Sequence, residues 1–212
     1  MYDRSKILRT LDENYIIDIK DPEIVEAENE FGYLVNLPNS TVKLAVYMSE
    51  MPIPFGKVFN FNCGNNTLTT LKNSPLNVET NYFCGKNPYL TSLEFSPLEV
   101  GIVFSCWSSS VTSLQGCPDG ARSVVASDCP LEDLIGLPKS LANLLTITYR
   151  EELPLLRLIE TTYYVKINNA PDEVTEILEI GKQSRKNIPL RQAIIKCQKE
   201  LIDAGFRGNA RL

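Results

Sequence analysis

One short pattern recurs four times in this chain, and it restricts the possible folds more than any other feature. Leu68-Thr-Thr-Leu71 is followed by Pro75, Leu90-Thr-Ser-Leu93 by Pro97, Val111-Thr-Ser-Leu114 by Pro118, and Leu131-Glu-Asp-Leu134 by Pro138. The prolines therefore recur after 22, 21 and 20 residues. A period this short is the mark of a solenoid, in which each copy is one structural unit that cannot bury its apolar face alone. Upstream of each pair lies an alternating apolar stretch. Val58, Phe61, Cys63, Asn66 and Leu68 occupy the positions L-x-x-L-x-L-x-x-N-x-L of the leucine-rich repeat, and Ala121, Val124, Ala126, Cys129 and Leu131 occupy them with Cys in the asparagine slot. Tyr82, Cys84 and Asn87, and then Phe104, Cys106 and Ser109, keep the centre of the pattern, although their first apolar residue slips by one.

Leu145 and Ile147, followed by Leu153 and Leu156, form a fifth copy without the proline, and Val165 and Ile167 read as a last strand. Phe31 and Leu34 leading to Pro38, and Met48 and Met51 near Pro54, read as eroded copies. The array then extends from about residue 15 to residue 167 in about seven units. Alternation on a strand sends Phe61 and Cys63 to one side and Asn60 and Asn62 to the other. Stacked copies bring the apolar sides into one core, and repeats this short leave no room for a full helix on the return. The expected fold is a β-rich α/β solenoid: a leucine-rich-repeat arc of short parallel strands with extended convex segments and a C-terminal helical cap. Its expected organisation is an N-terminal cap at 1–30, the solenoid at 31–168 and a helical-hairpin cap at 169–212.

At the C-terminal end, Pro171-Asp172-Glu173 is a helix-start signal, Val174, Ile177 and Leu178 share a face, and Gly181 is expected to stop that helix. A second helix should begin near Pro189, with Leu190, Ile194, Cys197 and Leu201 on one face and Gly205 at its end. The pair is expected to cover the strand at 163–167. At the other end, residues 5–12 read as helix and Tyr15–Ile19 as strand.

Several stretches carry a family resemblance: Phe-Asn-Cys-Gly-Asn-Asn-Thr-Leu-Thr-Thr-Leu at 61–71, Phe-Cys-Gly-Lys-Asn-Pro-Tyr-Leu-Thr-Ser-Leu at 83–93, the Ser-Pro-Leu-x-Val returns at 74–78 and 96–100, and the closing residues 198–212. In these the chain resembles the short leucine-rich-repeat proteins encoded by T-even-like tailed bacteriophages. The resemblance implies the cytoplasm of a host bacterium as the setting and a host protein as the partner. Bacterial effector ubiquitin ligases carry similar repeats, but they require a large catalytic domain with a nucleophilic cysteine followed two residues later by aspartate. Here Cys197 is followed by Gln198 and Lys199.

Composition narrows the chemistry. Histidine is absent, which removes Ser-His-Asp and Cys-His catalysis, histidine metal sites and histidine pH switching together. Cys63, Cys84 and Cys106 lie 21 and 22 residues apart, the spacing of one inward column, without a C-x-x-C pair to suggest a metal. Cysteines placed by a repeat point to reduced core residues and a reducing cytosol. Ser108-Ser109-Ser110 has no accompanying base and reads as the turn of the third repeat. No enzyme activity, cofactor or metal is expected, and no apolar run reaches membrane-spanning length. The net charge of −5 divides into +6 over residues 181–212 and −11 over the rest. The basic tail leaves weak nucleic-acid binding as a minor reading.

The outward strand positions carry the functional expectation. Phe83, Trp107, Val103, Val125, Leu144 and Tyr164 place apolar and aromatic groups on the strand face, the usual binding side of such an arc. The lone Trp107 is the natural anchor. The chain therefore reads as a non-enzymatic protein-interaction module. A second reading makes it a virion or assembly component with a structural or receptor-contact role.

Overall fold

The computed structural model describes residues 2–212. Helix α1 (Arg4–Asn14) is capped by Asp3, whose side chain accepts the Lys6 N–H at 3.2 Å, and it buries Ile7 and Leu11. Strands β1 (Tyr15–Ile17) and β2 (Glu23–Glu26) both pair antiparallel with the long β3 (Tyr33–Leu44). Every later pairing is parallel. The ladder continues through β4 (Phe55–Asn62), β6 (Asn81–Phe83), β8 (Val103–Ser105), β9 (Ser123–Ala126), β10 (Leu144–Thr148) and β11 (Tyr164–Asn168), giving a β-solenoid of about seven turns. Two-residue strands β5 (Asn77–Val78) and β7 (Glu99–Val100) extend it sideways beside β4.

Register follows the apolar alternation. Val42, Phe61, Tyr82, Phe104, Val124, Leu145 and Val165 stand opposite one another from coil to coil. Phe61, Tyr82 and Phe104 form a ring stack, with centroids 5.8 and 5.6 Å apart and planes tilted by only 8° and 5°. Offset stacking of this kind adds to the burial of three large side chains. The slipped residue also has its explanation. Val78 pairs with Val58 while Tyr82 pairs with Phe61, so one extra residue breaks the line between β5 and β6, and the same occurs between β7 and β8.

The corners are bound by side chains. Asn87 is fully buried; its amide donates to the Cys63 and Cys84 carbonyls at 3.0 and 2.8 Å, and its oxygen accepts the Leu68 N–H at 3.0 Å. One residue thus ties its own coil to the preceding one and pairs backbone groups that burial would otherwise orphan. Ser109 donates to the Cys106 carbonyl of its own coil and meets the Cys129 thiol of the next at 3.8 Å, while Cys129, at 3.1 Å, reaches that same carbonyl across to the preceding coil. The chain turns these corners through left-handed residues at matched places: Asn65, Lys86, Ser108 and Asp128 have φ of 55–57°. A second bend per coil is left-handed at Asn73, Phe95, Gly116 and Gly136. At Gly136 a Cβ would lie 2.4 Å from the Gln115 backbone, so this corner accepts only glycine.

Met48 and Met51 occupy the eroded first copy as expected, since Met51 is buried and Thr69 N–H donates to the Ser49 carbonyl of the neighbouring coil. The proposed copy at Phe31–Pro38 does not exist. That segment is the β2–β3 turn and the start of β3, because antiparallel pairing with β2 takes the edge where another coil would stack. Gly181 does not end a helix either. It lies inside α2 (Asp172–Ser184), where a Cβ would meet Ile159 Cδ1 at 2.5 Å and Cys197 at 3.2 Å. The missing side chain lets α2 approach α3 (Leu190–Asp203) and the 3-10 turn at Leu156–Glu160. The hairpin seats chiefly on that turn, whose Leu156, Leu158 and Ile159 need covering, and β11 keeps no fully buried residue. Gly205, at φ 94°, ends α3 as read.

Candidate binding groove on the strand face

The outward residues form rows as regular as the inward ones. Lys43, Asn62, Phe83, Ser105, Val125, Thr146 and Lys166 pair in succession across the ladder. A second row holds Asn81, Val103, Ser123, Leu144 and Tyr164. Five of the six apolar positions singled out in the sequence therefore share one face of one sheet, and Trp107 stands on the corner that follows β8. They do not share one hollow. Phe83 and Trp107 line a groove of about 510 Å³. Val103, Val125 and Leu144 continue along the sheet as half-buried residues outside it, and Tyr164 stands 65% exposed at the far end.

Trp107 owes its position to two neighbours. A Cβ on Gly85 would meet the indole Cδ1 at 2.6 Å and Nε1 at 3.0 Å, so the ring lies directly on the glycine of the preceding coil. The Lys86 ammonium sits over the ring, 4.7 Å from its centroid, as a cation on a π-face. The indole is nonetheless 38% exposed. Backbone bonds hold the corner below it: Lys86 N–H donates to the Trp107 carbonyl at 2.8 Å, and Asn65 N–H to the Gly85 carbonyl at 2.9 Å.

The opposite wall comes from residues that the sequence reading passed over: Lys43 and Tyr47. In the later copies the first leucine-type residue stands five positions after the second core residue, as at Cys63 and Leu68, or six, as at Cys84 and Leu90, but Met48 stands only four positions after Leu44. The shortened corner has no asparagine of its own and turns Val46 and Tyr47 outward; Tyr47 is 73% exposed. Asn66 of the next coil then holds this loop from below. It donates to the Val46 carbonyl at 2.8 Å and accepts the Met48 N–H at 2.9 Å, gripping the backbone on both sides of Tyr47. The four-residue gap was the available signal. Lys86 was equally visible, three residues after Phe83, but lies beyond the strand positions.

Charge in the groove has one sign. Lys43 and Lys86 line it and no Asp or Glu does. Among the described residues neither lysine takes part in an ion pair, whereas Lys57 and Lys72, elsewhere on the coils, are paired with Glu79 and Glu30 at 2.9 and 2.7 Å.

The six cysteines are free thiols, and Cys63, Cys84 and Cys106 stack inside, one per coil. Burial pushes the Cys63 thiol up to about 12 and raises Cys84 as well. Cys106 donates to Cys129, which raises Cys106 further and lowers Cys129 to about 7. Among the described residues no three Cys, Asp or Glu side chains gather closely enough to hold a metal ion. The basic tail is partly turned inward. Lys182 donates to the Tyr163 carbonyl at 2.7 Å, and Arg185 to the Ile159 and Thr161 carbonyls at 2.7 and 2.9 Å. Arg211 donates to the Glu152 carbonyl and pairs with its carboxylate at 3.1 Å.

Compared with protein-family models, curated proteins and solved structures, the chain matches none. No helix among the described residues is long and apolar enough to cross a membrane.

Proposed function

We propose that this chain is a protein-interaction module, a leucine-rich-repeat arc that takes hold of a partner protein through its strand face. The observation that carries this reading is the groove itself, where Tyr47, Phe83 and Trp107 from three different coils present aromatic surface beside lysines that have no ion pair among the described residues. Aromatic residues held rigidly on a scaffold are the usual anchors of protein contacts. The leucine-rich-repeat assignment is supported by the template positions and by the corner asparagines Asn66 and Asn87, which bridge adjacent coils. The resemblance to phage repeat proteins makes a bacterial host protein in the cytoplasm the proposed target. Nucleic-acid binding by the tail is the weaker reading, because Lys182, Arg185 and Arg211 are already engaged with backbone carbonyls.

Affinity capture from bacterial lysate tests the proposal, with the intact chain and a Phe83→Ala/Trp107→Ala variant as parallel baits. A partner retained by the first and lost by the second, with both baits melting at similar temperatures, is the expected result. Equal recovery on both would rule out this face.

A further inference from the structure

Resting on the interaction reading above, we propose that the groove between Tyr47 and Trp107 receives an extended acidic segment of the partner, with carboxylates set against Lys43 and Lys86 and an apolar side chain laid on Phe83 and Trp107. Charge complementarity makes the first argument. In a chain of net charge −5, the groove is lined by two lysines and no acid, and neither lysine has a carboxylate within the molecule among the described residues. Cations kept unpaired against half-buried apolar surface gain most from a partner that supplies the missing charge.

Shape makes the second argument. The floor is a flat stretch of parallel sheet, and Gly64 and Gly85 leave its edge low: a Cβ on either would strike the next coil. The walls are aromatic: Asn66 holds the backbone on both sides of Tyr47, and the Trp107 ring rests on Gly85. A low floor between aromatic walls fits an extended chain better than a helix. A single-stranded nucleic acid is the less favoured occupant. It asks for a line of cations along its path, and beyond Lys86 the middle row runs through Ser105, Val125 and Thr146 before reaching Lys166.

Trp107 is the only tryptophan, so its emission reports on the groove alone. The probe is a bead-bound library of peptides of about eight residues, longer than a groove crossing coils about 4.8 Å apart requires. One set is built from Asp, Glu, Phe, Leu and Gly, and a matched set has Lys in place of the acids. The intact chain should enrich the acidic set. The best acidic peptide should shift Trp107 emission, bind about tenfold more weakly to a Lys43→Glu/Lys86→Glu variant and keep its affinity for Lys43→Arg/Lys86→Arg. Binding should also weaken as salt rises from about 50 to about 500 mM.

Enrichment of the basic set, unchanged affinity after charge reversal, or an equal emission shift from inorganic phosphate or oligo(dT) would overturn the proposal. The two readings fail separately. If charge reversal spares a captured partner that Trp107→Ala loses, the acidic segment is wrong and the interaction face stands; if Trp107→Ala spares it too, the face itself is wrong.

Discussion

The middle coils and the first coil follow the same period but do different things with it. From β4 to β9 each corner carries a side chain that hydrogen-bonds the coil beneath or its own turn: Asn66, Asn87, Ser109 and Cys129. Inside, the rings of Phe61, Tyr82 and Phe104 stack nearly parallel. The first coil has a corner one residue shorter and borrows Asn66 from its neighbour, so Tyr47 projects instead of tucking in. Regularity supplies rigidity, and the departure from it supplies the wall of a groove. The candidate site lies where the two regimes meet.

The largest test of that contrast is alkaline pH, because the middle coils hold five of the six thiols. Burial raises the Cys63 and Cys84 values, and hydrogen bonding to Cys129 together with burial raises Cys106. A group held protonated by the fold contributes fully below its unfolded value, and that contribution fades as pH climbs toward the folded one, about 12 for Cys63. Raising pH from about 8 to about 10.5 should therefore lower the unfolding free energy, by about 2 kcal/mol through Cys63 alone, read by urea titration at each pH. Replacing Cys63, Cys84 and Cys106 by alanine should reduce that slope, and Cys117 and Cys197, whose thiols burial also raises, should keep the remainder. A slope left unchanged by the triple replacement would locate the sensitivity outside the inward cysteine column.

Next in size is Tyr82→Ala, which empties the centre of the ring stack and removes the 2.6 Å contact between the Tyr82 hydroxyl and Ser74. It should cost about 4 kcal/mol in the same measurement. Asn87→Ala leaves the Leu68 N–H and the Cys63 and Cys84 carbonyls without their partner and should cost about 2–3 kcal/mol. Asn66→Ala, whose partners belong to the exposed loop at Val46–Met48, should cost less, while loosening Tyr47. Equal costs for the two asparagines would mean that the first corner is as rigid as the rest. Smallest of all is Trp107→Ala, which should change stability by less than about 1 kcal/mol because the ring rests on the surface of Gly85.

Much of this was legible in one dimension. Alternation sorted Phe61 and Cys63 inward and Phe83 and Val125 outward, and the proline period predicted which inward residues would be neighbours one coil away. Legibility ended at the corners and the ends. Lys86 and Ser108 adopt left-handed backbone that glycine or asparagine would have advertised. Gly181 looked like a helix stop because glycine usually is one; here it makes room for Ile159 and Cys197. Strand β2 escaped notice since Glu23–Glu26 is short and acidic, and its antiparallel pairing with β3 displaced the copy expected at Phe31–Pro38.

Period and alternation, which are properties of order along the chain, were enough to determine that parallel strands stack and which side chains lie between them. Tertiary structure alone decided which outward residues meet. Membership of a groove depends on the length of each corner, on the absence of side chains at Gly64 and Gly85, and on how far a neighbouring coil reaches back. Inside and outside are set by a residue's own neighbours in sequence, whereas adjacency across a face is set by contacts about twenty residues away, and a single missing residue between Leu44 and Met48 was enough to redraw it.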